Sequence, residues 1–262
     1  MAHFQDTQFD NGGVFEEATV SGLADLSGNA TFRDMQFQRA RFLGDARFKG
    51  RNFSGIAVFR RTHFEQPPEF YGTQFPDDID LEDATFGPIT DINADRAQSA
   101  YRALKRRMND LQHHRAEVEF FAHEMRAKTF TERNVFFNWL YRAYGRLSDY
   151  GRSVWIPARW LLTTIPVAFF MYALVSETPR AIECYPSCSF EPKRLESVAA
   201  LAIFGLIPFF DFAKSAVSAA GSSLGLRPTN LLFLIVQLFQ LLASLLFLFL
   251  IGVGLRNLFR LR

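Results

Sequence analysis

From Phe4 to Phe86 the chain repeats a large apolar residue at steps of five or six: Phe4, Phe9, Phe15, Val20, Leu26, Phe32, Phe37, Phe42, Phe48, Phe53, Phe59, Phe64, Phe70, Phe75, Leu81 and Phe86. Neither a helix nor a flat strand keeps that period. Two residues before the large position stands a small one in many units: Ala18, Ala24, Ala30, Ala40, Ala46, Ala57 and Ala84, with Thr7, Thr62 and Thr73 as near equivalents. A small and a large inward residue separated by one outward residue is the alternation of a very short strand. If each unit turns the chain by about a quarter circle, the large groups stack inside a four-sided coil, and every unit buries its face only through its neighbours. A sandwich of longer strands would show turns of irregular length instead. The expected core is thus Phe32, Phe37, Phe42, Phe48, Phe53, Phe59, Phe64, Phe70, Phe75, Leu81 and Phe86, and it accounts for a Phe excess of 30 against 7 Tyr. Pro67, Pro68 and Pro76 belong at corners, because proline cannot donate to a ladder.

These units resemble the pentapeptide-repeat family. The resemblance implies a right-handed quadrilateral β-solenoid with Leu or Phe at the centre of each unit and a small residue two places earlier. The alternation of five and six is similar to the family's eleven-residue double unit, as in "DARFKGRNFSG" and "IAVFRRTHFEQ", with the extra residue read as a bulge at alternate corners. Some soluble members are acidic mimics of DNA. Residues 1–88 carry 14 acidic and 8 basic residues, a net of −6 broken by Arg60–Arg61 and by five basic residues between Arg39 and Arg51. The expectation is a solvated face of mixed charge and not a continuous acidic rod.

After Gly87–Pro88, Asp91–Asn93 offers an N-cap for a long stretch without Gly or Pro. Tyr101, Leu104, Met108 and Leu111 form one helical face and Val118, Phe121 and Met125 a second, so residues 89–132 read as a helical hairpin, or one bent helix, capping the open end of the coil. His123 beside Glu124 lacks the partner histidine of a zinc-protease motif and reads as a surface histidine. No cluster with metal-ligand spacing, no phosphate-cradling loop and no nucleophile elbow is present in the sequence, so the chain reads as a non-enzyme without cofactor or metal.

Two apolar segments, 154–176 and 231–255, each approach or exceed the ~20 residues that span a bilayer, and the reading is of a multi-domain protein, β followed by membrane α. Basic and aromatic residues over 133–153 and the start of the first segment (Trp139, Arg142, Arg146, Tyr150, Arg152, Trp155, Arg159, Trp160) mark an interfacial helix and a headgroup belt. With Arg256 and Arg260 after the second segment they place both termini on the cytoplasmic side. The intervening apolar stretch 197–212 is too short to cross and is interrupted by Gly205, Pro208 and Asp211, so it is expected as a re-entrant or interfacial helix at the outer mouth of the domain. Cys184 and Cys188, in the loop before it, are a candidate disulfide if that loop faces an oxidising compartment. Gln237, Gln240 and Ser244 fall on one stripe of the second segment, either as glue between helices or as a pore lining in a homo-oligomer.

"YGRLSDYGRSVWIP", "LAIFGLIPFF" and "LLASLLFLFLIGVGLRNLFRLR" resemble the terminal region of bacterial pentapeptide-repeat membrane proteins with a two-helix, ion-channel-like domain. That implies a multi-pass protein of the bacterial inner membrane, with lipid as one partner, other copies of itself as another, and a cytoplasmic protein or ligand on the solenoid. Nucleic acid is disfavoured, since the aromatics that would bind it sit where a membrane belt is required. The functional expectation is an oligomeric channel-like or membrane-permeabilising effector, of the kind a phage-defence system uses, controlled by its solenoid. The alternative is a membrane-anchored scaffold without a pore. The potassium-filter sequence TVGYG is absent.

Overall fold

The structure is a computed structural model that describes residues 1–176, 192–207, 210–224, 226 and 231–259. It comprises two compact units, Met1–Arg152 with Asn257–Arg262, and Ser153–Arg256. Cys184, Cys188, Pro208 and Arg260 lie outside the described residues.

The first unit opens with a β-solenoid of about four turns. Successive coils are 22 residues apart on most faces, as Ala24 over Ala46 and Phe42 over Phe64 in parallel register. Three sheets run along it, built from strands of two to seven residues. Because the register returns each central residue above its counterpart, the rings form columns. Phe15, Phe37 and Phe59 stack face to face at 5.3 and 5.0 Å, and Phe42, Phe64 and Phe86 at 5.1 and 5.7 Å. Neighbouring columns meet edge to face, as Phe48 against Phe59 at 90°, the geometry favoured by ring quadrupoles. The five-against-six alternation is visible as a register shift between Arg33 and Met35, opposite Ser54 and Ala57. Two residues past the centre of one face the corner has φ > 0 in every coil, at Asp6, Gly28, Gly50 and Gly72, where glycine is the residue without a steric cost.

The last coil passes into α1 (Ala94–Asp110) and α2 (His114–Thr131), a hairpin of two helices. Asn93 holds the N-cap position of α1, but its side chain does not cap the helix. It accepts from the Thr90 amide and donates to Gln66 Oε1 and Pro88 O, tying the linker to the solenoid. Tyr101, Leu104 and Met108 face the core as expected, with Leu111 at its margin. On α2 the buried residues are Phe120, Ala122, Glu124, Ala127 and Thr129, while Val118, Phe121 and Met125 are only half-buried, the last two one residue out of phase with Phe120 and Glu124. The shift follows from Glu124, whose carboxylate takes Arg102 at 2.9 Å and Lys105 at 2.6 Å from α1, so that a charged residue occupies the centre of a buried face. α3 (Val135–Ser148) starts at Asn134, whose side chain accepts from the amides of Phe136 and Phe137, and ends in a 3₁₀ turn, Asp149–Gly151.

In the second unit α4 (Trp155–Ser176) and α7 (Leu231–Phe259) are long and apolar enough to cross a membrane. A Cβ on Gly254 would meet Val154 Cγ2 at 3.0 Å, so the start of α4 lies beside the end of α7 and the two run antiparallel. Between them α5 (Pro192–Phe204) and α6 (Asp211–Ser223) occupy the region read as one interrupted helix. Phe204 meets Phe212 edge-on at 6.2 Å, and Ser223 Oγ donates to Ser197 Oγ at 2.7 Å, so α5 and α6 fold back on each other.

Candidate functional site

The polar stripe on α7 does not face solvent. Its buried residues are Phe233, Val236, Gln240, Ser244, Phe247, Leu250 and Gly254, at steps of three and four, and they pack inside the chain's own helical unit. Gln240 is 2% exposed and uses both ends of its amide. Tyr172 of α4 donates its hydroxyl to Oε1 at 2.9 Å, and Nε2 donates to Ala202 O of α5 at 2.7 Å.

The reason for that contact lies at the end of α5. A helix leaves its last four carbonyls without intrahelical partners. Leu201 O accepts from the Gly205 amide at 3.1 Å, and Ile203 O and Phe204 O from Leu206 and Ile207 at 3.2 Å each. Ala202 O is the one left, and Gln240 supplies its donor from another helix. Gly205 is glycine because the amide comes that close: a Cβ there would lie 2.5 Å from Gln240 Oε1. Sequence reasoning singled out Gly205 and Gln240 separately, and the fold brings them together. Ser244 is fully buried and its hydroxyl has no hydrogen-bond partner among the described residues. Gln237 is half-buried, and Asp211 is exposed at the first residue of α6, 3.3 Å from Lys214.

Of the interface residues, Trp139, Trp155, Trp160, Arg142, Arg146, Arg152, Arg159 and Arg256 are exposed. Tyr150 is not among them. It is buried with left-handed backbone, its ring against Tyr144 at 5.6 Å and so close to Gly145 that a Cβ there would meet it at 2.7 Å. Tyr150 therefore closes the turn after α3, with its ring turned into the packing of the first unit. Val135, Phe136, Phe137, Trp139 and Leu140 leave the first half of α3 with an apolar surface that no described residue covers.

Two further residues of the first unit depart from the sequence reading. Arg51, counted above with the solvated basic residues, is fully buried. It occupies a small-residue slot, two places before Phe53, and its guanidinium runs back along the axis over Ala30 and Thr7, which are small enough to admit it. It donates to Leu26 O, to Thr7 O at 2.9 Å, to Ala30 O at 3.2 Å and to Phe4 O at 2.6 Å, and lies 4.1 Å from the centre of the Phe32 ring. Burial pulls it below its ordinary pKa. The signal available in sequence was its phase, since it stands where other units carry Ala or Thr. His123 is likewise not a surface histidine: it stacks on Tyr101 at 4.9 Å and meets Phe86 edge-on, and burial, with Arg126 and Arg152 nearby, brings its pKa to about 4.

Against known protein families, residues 48–93 match pentapeptide repeats, nine copies. The match covers the second half of the solenoid and stops in the linker before α1. No curated protein and no solved structure matches the chain.

Proposed function

We propose that the chain is an oligomeric, channel-like protein of the bacterial cytoplasmic membrane, anchored by α4 and α7, whose solenoid docks a cytoplasmic partner. The observation that carries the membrane half is the end of α5 at Gln240, the tenth residue of α7. At 1.5 Å per residue α5 is only about 20 Å long and stops about 14 Å along α7. Such a helix dips into an apolar layer of about 30 Å without crossing it. Backbone that ends at this depth must be sealed by protein, and Gln240 seals it. The antiparallel pairing of α4 and α7 supports two crossings with both ends on one side, and Arg142, Arg146, Arg152 and Arg256 support the cytoplasm as that side.

α6 supports a polar path. Asp211, Ser215, Ser218 and Ser222 recur at steps of four, three and four, and all are exposed. A face of that kind at bilayer depth turns to protein or water, and a single protomer with two crossings encloses no pore, so copies assemble around it. The competing scaffold without a pore is favoured by one observation: Gln240 and Ser244, the stripe that would line a pore, are consumed in the protomer's own packing. Particle mass in detergent and ion flux through liposomes separate the two. The channel reading expects a multimer and a conductance altered by Ser215→Leu with Ser218→Leu at unchanged mass, whereas a monomeric particle without flux leaves the scaffold.

A further inference from the structure

We propose that the open edge of the last coil, together with the α1–α2 turn, is a groove that takes an extended basic peptide as a fifth layer of the solenoid. The inference rests on the docking half of the proposed function and is independent of whether a pore forms.

Among the described residues, strand 78–80 is the end strand of its sheet and pairs only with 56–58. In each earlier coil the central amide of this face donates to the next one: Phe15 to Gln36 O, Phe37 to Val58 O and Phe59 to Asp80 O, at 2.6–2.7 Å. The corner amides do the same, Glu17 to Gln38 O, Arg39 to Arg60 O and Arg61 to Glu82 O. Leu81 and Asp83 hold the equivalent places in the last coil, and no coil follows. The helical hairpin does not close this side: Tyr101 and Phe120 cover Phe86, but a cleft of about 1020 Å³ remains between residues 79–84 and the start of α2. Its floor is apolar, with Ile79 and Leu81 half-buried, and Met108 and Ala116 form the far wall. An unpaired strand edge beside an apolar slot is the setting for strand addition, in which backbone bonds give affinity and alternate side chains give specificity.

Charge selects the occupant. The corner column already pairs its layers by sign. Arg39 reaches Glu16 at 2.6 Å and Glu17 at 3.1 Å, Arg60 reaches Asp80 at 2.9 Å and Glu82 at 3.1 Å, and Arg61 reaches Asp83 at 3.4 Å. Glu82 and Asp83 remain about two-thirds exposed beside those arginines and line the cleft, and Glu119 adds a third carboxylate. Arg115, His113 and His114 also line the cleft, His114 within 3.2 Å of Glu117. A segment with an apolar residue followed by two basic ones, as in the chain's own Val58–Arg61, would set its bases over Glu82 and Asp83. The first coil of a second copy would bring Glu16 and Glu17 there and be repelled.

The test uses the full chain in an uncharged detergent and a fluorescent peptide of the sequence of residues 52–62, NFSGIAVFRRT, read by anisotropy, with NFSGIAVFEET as its charge-reversed counterpart. The expected result is saturable binding of the basic peptide, at least about tenfold weaker for the acidic one. Glu82→Arg with Asp83→Arg should invert that preference, and Ala116→Trp, which fills the slot, should abolish binding of both. The charge inversion involves exposed side chains only and stands even if Ala116→Trp fails to fold. No binding of the basic peptide, equal binding of both peptides, or a preference unmoved by the double charge change overturns the proposal. None of these outcomes touches the membrane reading, which particle mass and flux decide.

Discussion

Truncating Arg51 to alanine should loosen the first three coils of the solenoid and leave the last nearly unchanged. The guanidinium serves Phe4 O, Thr7 O, Leu26 O and Ala30 O, and among the described residues its hydrogen-bond partners are carbonyls, not carboxylates. Removing it opens a cavity of about 80 Å³, worth about 2 kcal/mol at ~24 cal/mol per Å³. It also strips four buried acceptors of a donor. Phe4 O keeps the Thr7 amide at 3.2 Å, so under-satisfaction of the set adds about 1–3 kcal/mol. The total is about 3–5 kcal/mol, against which the charge returns to water. Arg51→Met refills most of the volume but strips the same four acceptors, so it should cost about 1–3 kcal/mol, less than alanine by the cavity contribution. Native-state hydrogen exchange of the full chain reads this directly, since local opening sets the rate. The amides of Ala24, Leu26 and Phe32 should exchange roughly two to three orders of magnitude faster in the alanine variant, and Thr85 at its original rate. Equal acceleration in the alanine and methionine variants, or less than about fivefold in alanine, would refute the argument that a buried cation spans these layers.

Gln240→Leu leaves Ala202 O and Tyr172 Oη unpaired and should lower the thermal midpoint in detergent by an amount corresponding to about 1–3 kcal/mol. Gly205→Ala should cost a similar amount, and adding Gln240→Ala should relieve part of it, because the three atoms nearest the new Cβ all belong to that side chain; strict additivity of the two in a double-mutant cycle would count against the contact. His123 has a folded pKa of about 4 against an ordinary 6.5. The unfolded chain then binds the proton first, so the first unit loses stability as pH falls from 6.5 toward 4, by at most about 3 kcal/mol. His123→Phe should flatten that slope in pH-dependent unfolding. With Trp155 and Trp160 replaced by Phe, Trp139 is the remaining tryptophan, and its emission should shift to the blue on anionic vesicles. An unshifted spectrum would place the apolar face of α3 away from lipid.

The coil, its ring columns and its helical cap were legible because each is a local periodicity. A large residue every five or six positions has one packing solution, and Tyr101, Leu104 and Met108 have one helical face. What failed were residues whose meaning depends on a distant neighbour. Arg51 reads as surface charge until Thr7 and Ala30 are known to lie beneath it, and the burial of Glu124 is explained only once Arg102 and Lys105 face it from α1. His123 needed the position of Tyr101, and Tyr150 the left-handed turn that folds it onto Gly145. Gln240 could be read as glue or as pore lining, because a sequence does not say at what level of α7 another helix ends. Periodicity marks the inward face of the coil and of α1, and it missed that of α2, where Glu124 is buried. The partner of each buried polar atom is set by contacts between elements tens of residues apart, so only the tertiary structure could assign it.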